Sequence, residues 1–383
     1  MNESVAIVGV GQTALRDAAD DRLYHEHDYE AARLALADAG LDRGEVDTVI
    51  CSGWDAVDGR TISDMHTAMS SGGYLKDSSH VGEDGIMALA YAYMRIASGL
   101  FDVALVTAHG HAESSFETVS NVVFDPLFVR PLGPSHLVSL ALQASAYLHR
   151  HGVSEELAAQ VAVKNRANGA GNPRAHLQSP VSREDVLSSD PVCYPLRALE
   201  CPPQSVGGVA LILASEDAAR RISDRPVWVS GISWAIDSYD LGSKELYRLT
   251  SLAAAAEKAY GMAGIGNPLH DLDAAEVHDI TPYHELMAYE ALGLAAEGAA
   301  ARLFEAGDTA LGGRLPVNPS GGVLCANPYG ASGLLRVTEA AMQLRGEAGD
   351  QQVAGAKRAL AHGMSAPSGA AARTDCAVIL EGG

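Results

Sequence analysis

The sequence is short of several things, and each shortage excludes something. Aromatic residues make up only 5% of the 383, and none forms a recognisable pocket signature, so the shape of any bound group is not written here. Basic residues are scarce: 27 Lys and Arg against 48 Asp and Glu leave a formal charge of −21. That balance argues against a nucleic-acid backbone or an anionic membrane surface as partner. Solubility or a basic partner protein suits it better. The five cysteines, Cys51, Cys193, Cys201, Cys325 and Cys376, include no CxxC pair, which fits neither a disulfide framework nor a zinc site. They are expected as reduced, mostly buried thiols. No apolar run approaches the roughly 20 residues of a membrane span. The opening "MNESVAIVGVGQT" lacks the basic flank and small-residue cleavage site of a secretory signal. A cytoplasmic protein is the expectation.

What is present is an alternation of short apolar strands and Ala-rich helices. "VAIVGVG" (5–11) and "VDTVICSG" (46–53) read as buried strands, with "YEAARLALADAG" (29–40) as an amphipathic helix between them. "GIMALAYAYMRIASG" (85–99) is a further helix and "VALVTAHG" (103–110) the strand after it. Such alternation predicts an α/β fold with a parallel sheet and crossover helices. Residues 114–200, richer in Pro, Asn and His, carry helices at 135–150 and 154–167 and read as an insertion over the sheet. Strand "GGVALILAS" (207–215) follows, and "RPVWVSGISWA" (225–235) opens what resembles a second copy of the first pattern, with helices at 251–264 and 331–346. The predicted halves are 1–225 and 226–383, without a residue-level repeat.

Two motifs mislead. "GVGQTA" follows a strand as a dinucleotide loop does, but Gly9 and Gly11 lack the third glycine. "HEH" (25–27) and "HGH" (109–111) have no third metal ligand set by spacing. The first pair is expected as solvated loop histidines, whereas His109 and His111 end a strand, where open α/β sheets place their sites. No metal site is predicted.

The informative stretch is "NPSGGVLCANPYGASG" (318–333), an uncharged loop with four glycines, a Cys, two Asn and a Tyr. Together with "EVHDITPYHELMAYEALGL" and the block "YLHRHGVSEELAAQVAVKNRANGAGNPRAHLQ", it is similar to thiolases of the sterol-carrier-protein and archaeal type. The resemblance runs over nearly the whole chain, with three blocks in the family's order. It implies the thiolase fold: two βαβαβαββ halves in α/β/α/β/α layers, a loop domain inserted in the first half, and a dimer. It also implies acyl-CoA chemistry, with coenzyme A as part of the substrate and no covalently bound cofactor.

The departures from the family pattern carry the functional reading. The nucleophilic cysteine at the start of the buried helix aligns with Gly82 of "HVGEDG". The histidine of the "GHPxGATG" loop is replaced by Asn327, and the "HDxF" element survives as His278 and Asp279 with Thr281 in the aromatic place. Only acyl-enzyme formation requires the thiol; stabilising a thioester enolate requires oriented donors. The sequence in this respect resembles the cysteine-less steroid side-chain aldolase group, in which a tyrosine supplies acid or base function. The expectation is aldol or retro-aldol cleavage of a 3-hydroxyacyl-CoA. His278 and Asn327 would donate to the thioester oxygen, Asp279 would orient His278, and Tyr329 or Tyr283, ahead of His109, would take the hydroxyl proton. Glu83 and Asp84 read as dipole partners of the helix that follows, and Cys325 as a buried structural thiol.

Lys164, Arg166 and Arg174 of the inserted segment lie where the family contacts the nucleotide of CoA. The resemblance further implies a small zinc-ribbon/OB-fold partner protein. Two other readings stay open at this point: an acyltransferase with a displaced nucleophile, and a non-catalytic thiolase-like subunit.

Overall fold

The computed structural model describes residues 4–17, 22–110, 116–365, 369–371 and 373–383. Eleven strands are seen among them: β1 (Val5–Gln12), β2 (Thr48–Ser52), β3 (Asp77–Val81), β4 (Val103–Gly110), β5 (Pro191–Cys193), β6 (Leu196–Arg197), β7 (Gly207–Ser215), β8 (Val227–Ile236), β9 (Ala274–Glu276), β10 (Arg358–Ser365) and β11 (Thr374–Gly382). β5 and β6 form a small hairpin, and the other nine run in the order β3-β2-β4-β7-β1-β8-β11-β10-β9.

That order is two copies of one pattern meeting at the middle. In the first, β2 is parallel to β3 and β4, while β4-β7 and β7-β1 are antiparallel. In the second, β9-β10 is parallel, while β10-β11 and β11-β8 are antiparallel. β1 and β8 join the copies through a short ladder, Ala6 opposite Trp228 and Ile7 opposite Val227. The sheet is therefore mixed, where the strand–helix alternation by itself suggested a parallel one, and its terminal antiparallel pairs fit the expected βαβαβαββ halves. Crossover helices link only some neighbouring strands, and apolar alternation does not reveal the sense of the remaining pairs.

Helices complete the layers. The helix Tyr24–Ala39 covers the outer face of the first half and the helix Thr250–Ala263 that of the second. Between the half-sheets lie the helices Gly85–Ala97 and Ser332–Arg345, packed on each other and on the inner faces. The first reads "GIMALAYAYMRIA", strong helix formers that are apolar almost all round, as a helix enclosed in a layered core must be. Its Ile86, Leu89 and Ile96 have no exposed surface, and each such burial stabilises by about 1.5–3 kcal/mol.

One expected loop is helical. The helix Tyr24–Ala39 begins before residue 29, because the Glu26 carboxylate accepts the Leu23 N–H at 2.7 Å and closes the first turn. His25 and His27 therefore lie on a helix, and His27 is buried, contrary to the solvated-loop expectation. His111 lies outside the described residues.

The central helices approach closely at Gly85. A Cβ on Gly85 would lie 2.6 Å from Ala108 Cβ and 2.9 Å from Leu334 Cβ. Gly85→Ala is expected to lower stability by about 1–3 kcal/mol through overpacking. Denaturant unfolding measures it, and an unchanged midpoint would contradict the close packing.

Candidate active site

At the junction of the halves a recess of about 10 Å³ is lined by Trp54, Asp84, His278, Asn327, Tyr329, Gly330, Ser332 and Met364. That volume holds one water-sized group. Asn327 and Tyr329 also line an outer cleft of about 200 Å³, together with Glu117, His136, Cys201, Gln204 and Ile280. The two spaces thus share a wall.

His278 arrives from the end of β9. Its N–H donates to His362 Nδ1 at 3.2 Å, and His362 Nε2 in turn faces Asp375 at 2.8 Å, across neighbouring strands β10 and β11. The ring's own Nδ1 accepts the Met364 N–H at 3.4 Å, so in the neutral form the hydrogen sits on Nε2. Burial, with His362 and Arg373 nearby, holds His278 well below the usual imidazole range. It is a neutral donor.

Asn327 is fixed as tightly. Its backbone exchanges two hydrogen bonds with Ser205, its N–H donating to Ser205 Oγ at 3.0 Å and its carbonyl accepting the Ser205 N–H at 3.0 Å. Ser332 Oγ donates to Asn327 Oδ1 at 2.6 Å. With the amide oxygen occupied, the Nδ2 donors are left for the recess. The loop that carries it is shaped by its own anchors. Asn318 Oδ1 accepts the Val277 N–H at 2.7 Å, and Ser320 donates its N–H and its hydroxyl to Glu276. Gly322 has φ +70°, and a Cβ there would fall 2.3 Å from an Asp279 oxygen, so no other residue fits.

Asp84 also lines the recess. It caps the helix Gly85–Ala97, Oδ1 accepting the Ile86 N–H at 2.9 Å, while Oδ2 accepts the Gly333 N–H of the opposing helix at 3.0 Å. Burial pushes its carboxyl up to about 7, against the pull of these N–H groups. The dipole-partner reading of Asp84 describes this geometry.

Other expected site residues are placed elsewhere. Tyr283 is buried in a cluster with Leu140, Ala144, Ile280 and Met364, lines neither space, and burial raises its phenol further. Asp279 does not orient His278: its carboxylate accepts from Asn165 Nδ2 at 2.6 Å and the Val323 N–H at 2.6 Å, holding the loop. Lys164 is paired with Glu285 and donates to Val317 O, and Arg174 pairs with Glu339 at 2.5 Å. Arg166 donates to Ser179 O and is buried. Lys164 and Arg174 hold the inserted segment to the body, while Arg166 ties that segment to itself; the partners of the first two lie more than 100 positions away and are not visible in the sequence. Cys325 is buried, and burial pushes its thiol up to about 12. His109 is clamped, Nδ1 3.0 Å from Asp28 and Nε2 3.0 Å from Asp58.

Comparisons with known proteins bear on the family and the fold. Residues 234–381 match the family described as Thiolase C-terminal domain-like. The chain is 32% identical to an acetyl-CoA acetyltransferase of Methanothermobacter thermautotrophicus, covering 96% of this chain and 98% of the relative. It is 31% identical to sterol carrier protein 2 of Gallus gallus, over 95% of this chain and 70% of that one. The chain belongs to the thiolase superfamily. Among solved structures it is similar to the Ltp2-ChsH2(DUF35) aldolase, with a TM-score of 0.83, 27% identity, and 99% and 98% of the two chains covered.

Within the thiolase frame, Gly82 follows β3 and precedes the Asp84 cap. Nothing lies within 4 Å of a Cβ built there, and its φ is not in the left-handed region. The backbone does not demand glycine, so a side chain at this position would fit without steric cost. Sequence reasoning missed Trp54, Ser332, Met364 and His136. Ser332, five residues after Asn327, carried a signal as a hydroxyl in the loop's last turn; the others come from distant segments and carried none.

Two outcomes follow. Gly82→Ala is expected to leave stability within about 0.5 kcal/mol, checked by thermal unfolding; a large loss would mean the turn requires glycine after all. For His109, burial opposes the charge, but Asp28 and Asp58 outweigh it and push the imidazole up to about 10 from 6.5. A raised folded value gives stability that is complete below about pH 6.5 and lost as pH rises toward 10, by a few kcal/mol in all. Denaturant midpoints across that window should fall with pH, and Asp58→Asn should flatten the fall.

Proposed function

We propose that this chain is a cysteine-independent acyl-CoA lyase that makes or breaks a carbon–carbon bond by aldol chemistry on a 3-hydroxyacyl-CoA. The observation that carries the reading is the pair of fixed neutral donors, His278 Nε2 and Asn327 Nδ2, on a recess the size of one oxygen, beside a position without its thiol. A thioester oxygen entering the recess meets both donors, and they strengthen as it becomes an enolate oxygen. Nothing there forms an acyl-enzyme. Tyr329, on the wall between recess and cleft, is the residue at the 3-hydroxyl. The aldolase among the similar structures supports this direction.

One observation favours an acyltransferase instead: Cys201 lines the outer cleft. Burial, with Glu200 and Glu117 close by, pushes that thiol up to about 12, the opposite of a nucleophile's need. We therefore prefer the lyase.

Coenzyme A enters this reading as part of the substrate. With Lys164 and Arg174 committed to internal pairs, cations for its phosphates would come from a partner. The ChsH2(DUF35) component named with the similar aldolase supports a small zinc-ribbon/OB-fold protein in that place. Leu127, Phe128 and Leu132 stand 76%, 79% and 82% exposed, apolar surface of the kind that partners cover. The unpaired edge of β3, beside exposed Tyr74 and Leu75, supports a homodimer.

Incubation with a panel of acyl-CoA and 3-hydroxyacyl-CoA thioesters, with and without the partner, should give cleaved products and no covalent adduct by mass spectrometry. Asn327→Ala should lower kcat about 10²–10³-fold. A stable acyl group on any cysteine would return the chain to the acyl-transfer enzymes.

A further inference from the structure

The proposed role of Tyr329 meets a difficulty. Burial, with Asp84 and Glu117 adding to it, holds its phenol well above the usual range, so a resting phenolate is not available as a base. The surroundings of the hydroxyl supply the answer. Tyr329 Oη lies 3.4 Å from His136 Nδ1, the two rings meeting edge to face at 5.7 Å, while Trp54 packs edge-on against the phenol at 5.3 Å. Tyr329 lines both the recess and the cleft, whereas His136 lines only the cleft, beside Glu117.

His136 is itself held in place. It is the first residue of the helix His136–His151; its N–H donates to Ser120 Oγ at 3.1 Å and its carbonyl accepts from Ser139 Oγ at 2.8 Å. The other imidazoles close by are committed. His278 is a donor to the recess, His109 lies between two carboxylates, and His284 is bonded to Thr281 and Gln143.

Resting on the retro-aldol reading, we infer that Tyr329 and His136 form a proton relay from the substrate 3-hydroxyl, lying against Tyr329 at the mouth of the recess, to the outer cleft. The substrate O–H bond breaks and its proton passes to Tyr329 Oη as the phenol's own proton passes to His136 Nδ1. The oxygen's electron pair becomes the new carbonyl of the leaving aldehyde or ketone. The C2–C3 pair moves into C1–C2, and the charge comes to rest on the thioester oxygen held by Asn327 and His278. His136 releases its proton to water in the cleft, and the enolate carbon takes one from water, so the sum is proton-neutral. No phenolate forms. His136 never touches the substrate; it acts through Tyr329.

The test is a mutant cycle on cleavage of a 3-hydroxyacyl-CoA by the intact protein with its partner present. Tyr329→Phe and His136→Gln should each lower kcat about 10²–10⁴-fold with KM within about threefold, and the double variant should be no slower than the slower single one, because a relay fails as a unit. Imidazole added to His136→Ala, which opens onto the cleft, should restore part of the rate; circular dichroism confirms that each variant is folded, and His136→Asn replaces any that is not. If the wild type cleaves and His136→Gln cleaves at a similar rate, or if the two losses multiply, the relay is wrong and the lyase stands. If the wild type cleaves nothing, the lyase reading falls and the relay falls with it.

Discussion

The arrangement depends on one carboxylate. Asp84 accepts the N–H of Ile86 at the start of one central helix and the N–H of Gly333 at the start of the other. The first helix belongs to the first copy of the strand pattern and the second to the other, so a single side chain ties the halves where their helix dipoles converge. The recess forms around that point because both helices begin there. Whatever enters it faces two positive helix ends already partly answered by a carboxyl, and the remaining donors, His278 and Asn327, come from the loops beside it. An anionic oxygen is then best placed against the side-chain donors rather than against the helix ends.

How stiffly those donors are held can be followed residue by residue. His278 is backed by His362 and Asp375, and Asp375 is gripped by Arg373 Nε at 2.7 Å. Asn327 is backed by Ser205 and Ser332. Its loop is tied to β9 by Glu276, whose other oxygen contacts buried Arg336 at 2.8 Å. Such networks are costly when partly satisfied, and they fix one geometry when complete. Preorganised donors of this kind spend little on reorientation as charge develops.

Much of this was legible in the sequence, and the parts that were not share a cause. The buried strands, the central helices and the Asn327 loop follow from apolar runs, small residues and turn glycines. β10 and β11 were not read as strands: "RALAHGMS" and "TDCAVILEG" interrupt their apolar character with His362 and Asp375, which look like loop residues until each is seen to answer the other at 2.8 Å. The same blindness separates the two tyrosines. Tyr283 and Tyr329 both sit in Pro-containing turns at the start of helices, and only the direction of the side chain sends one into the Leu140–Ile280 cluster and the other to the cleft wall. The ion pairs of Lys164 and Arg174 were hidden in the same way, since a cation in an inserted segment reads as a ligand contact until its buried carboxylate is found.

The parts of the candidate site are supported separately. Gly82 lies in the turn after edge strand β3, and a Cβ there would meet nothing within 4 Å. The donors lie in the other half, each with its own backing. The hydrogen bonds that hold His278 and Asn327 run to His362, Met364, Ser205 and Ser332 and not through residue 82, so a change there need not loosen either. The Asp84 cap is likewise made by its own carboxylate and not by its neighbour's side chain. A change at Gly82 therefore leaves the supports of His278 and Asn327 in place, and under the proposed lyase reading this physical independence is what would let enolate stabilisation persist without covalent chemistry.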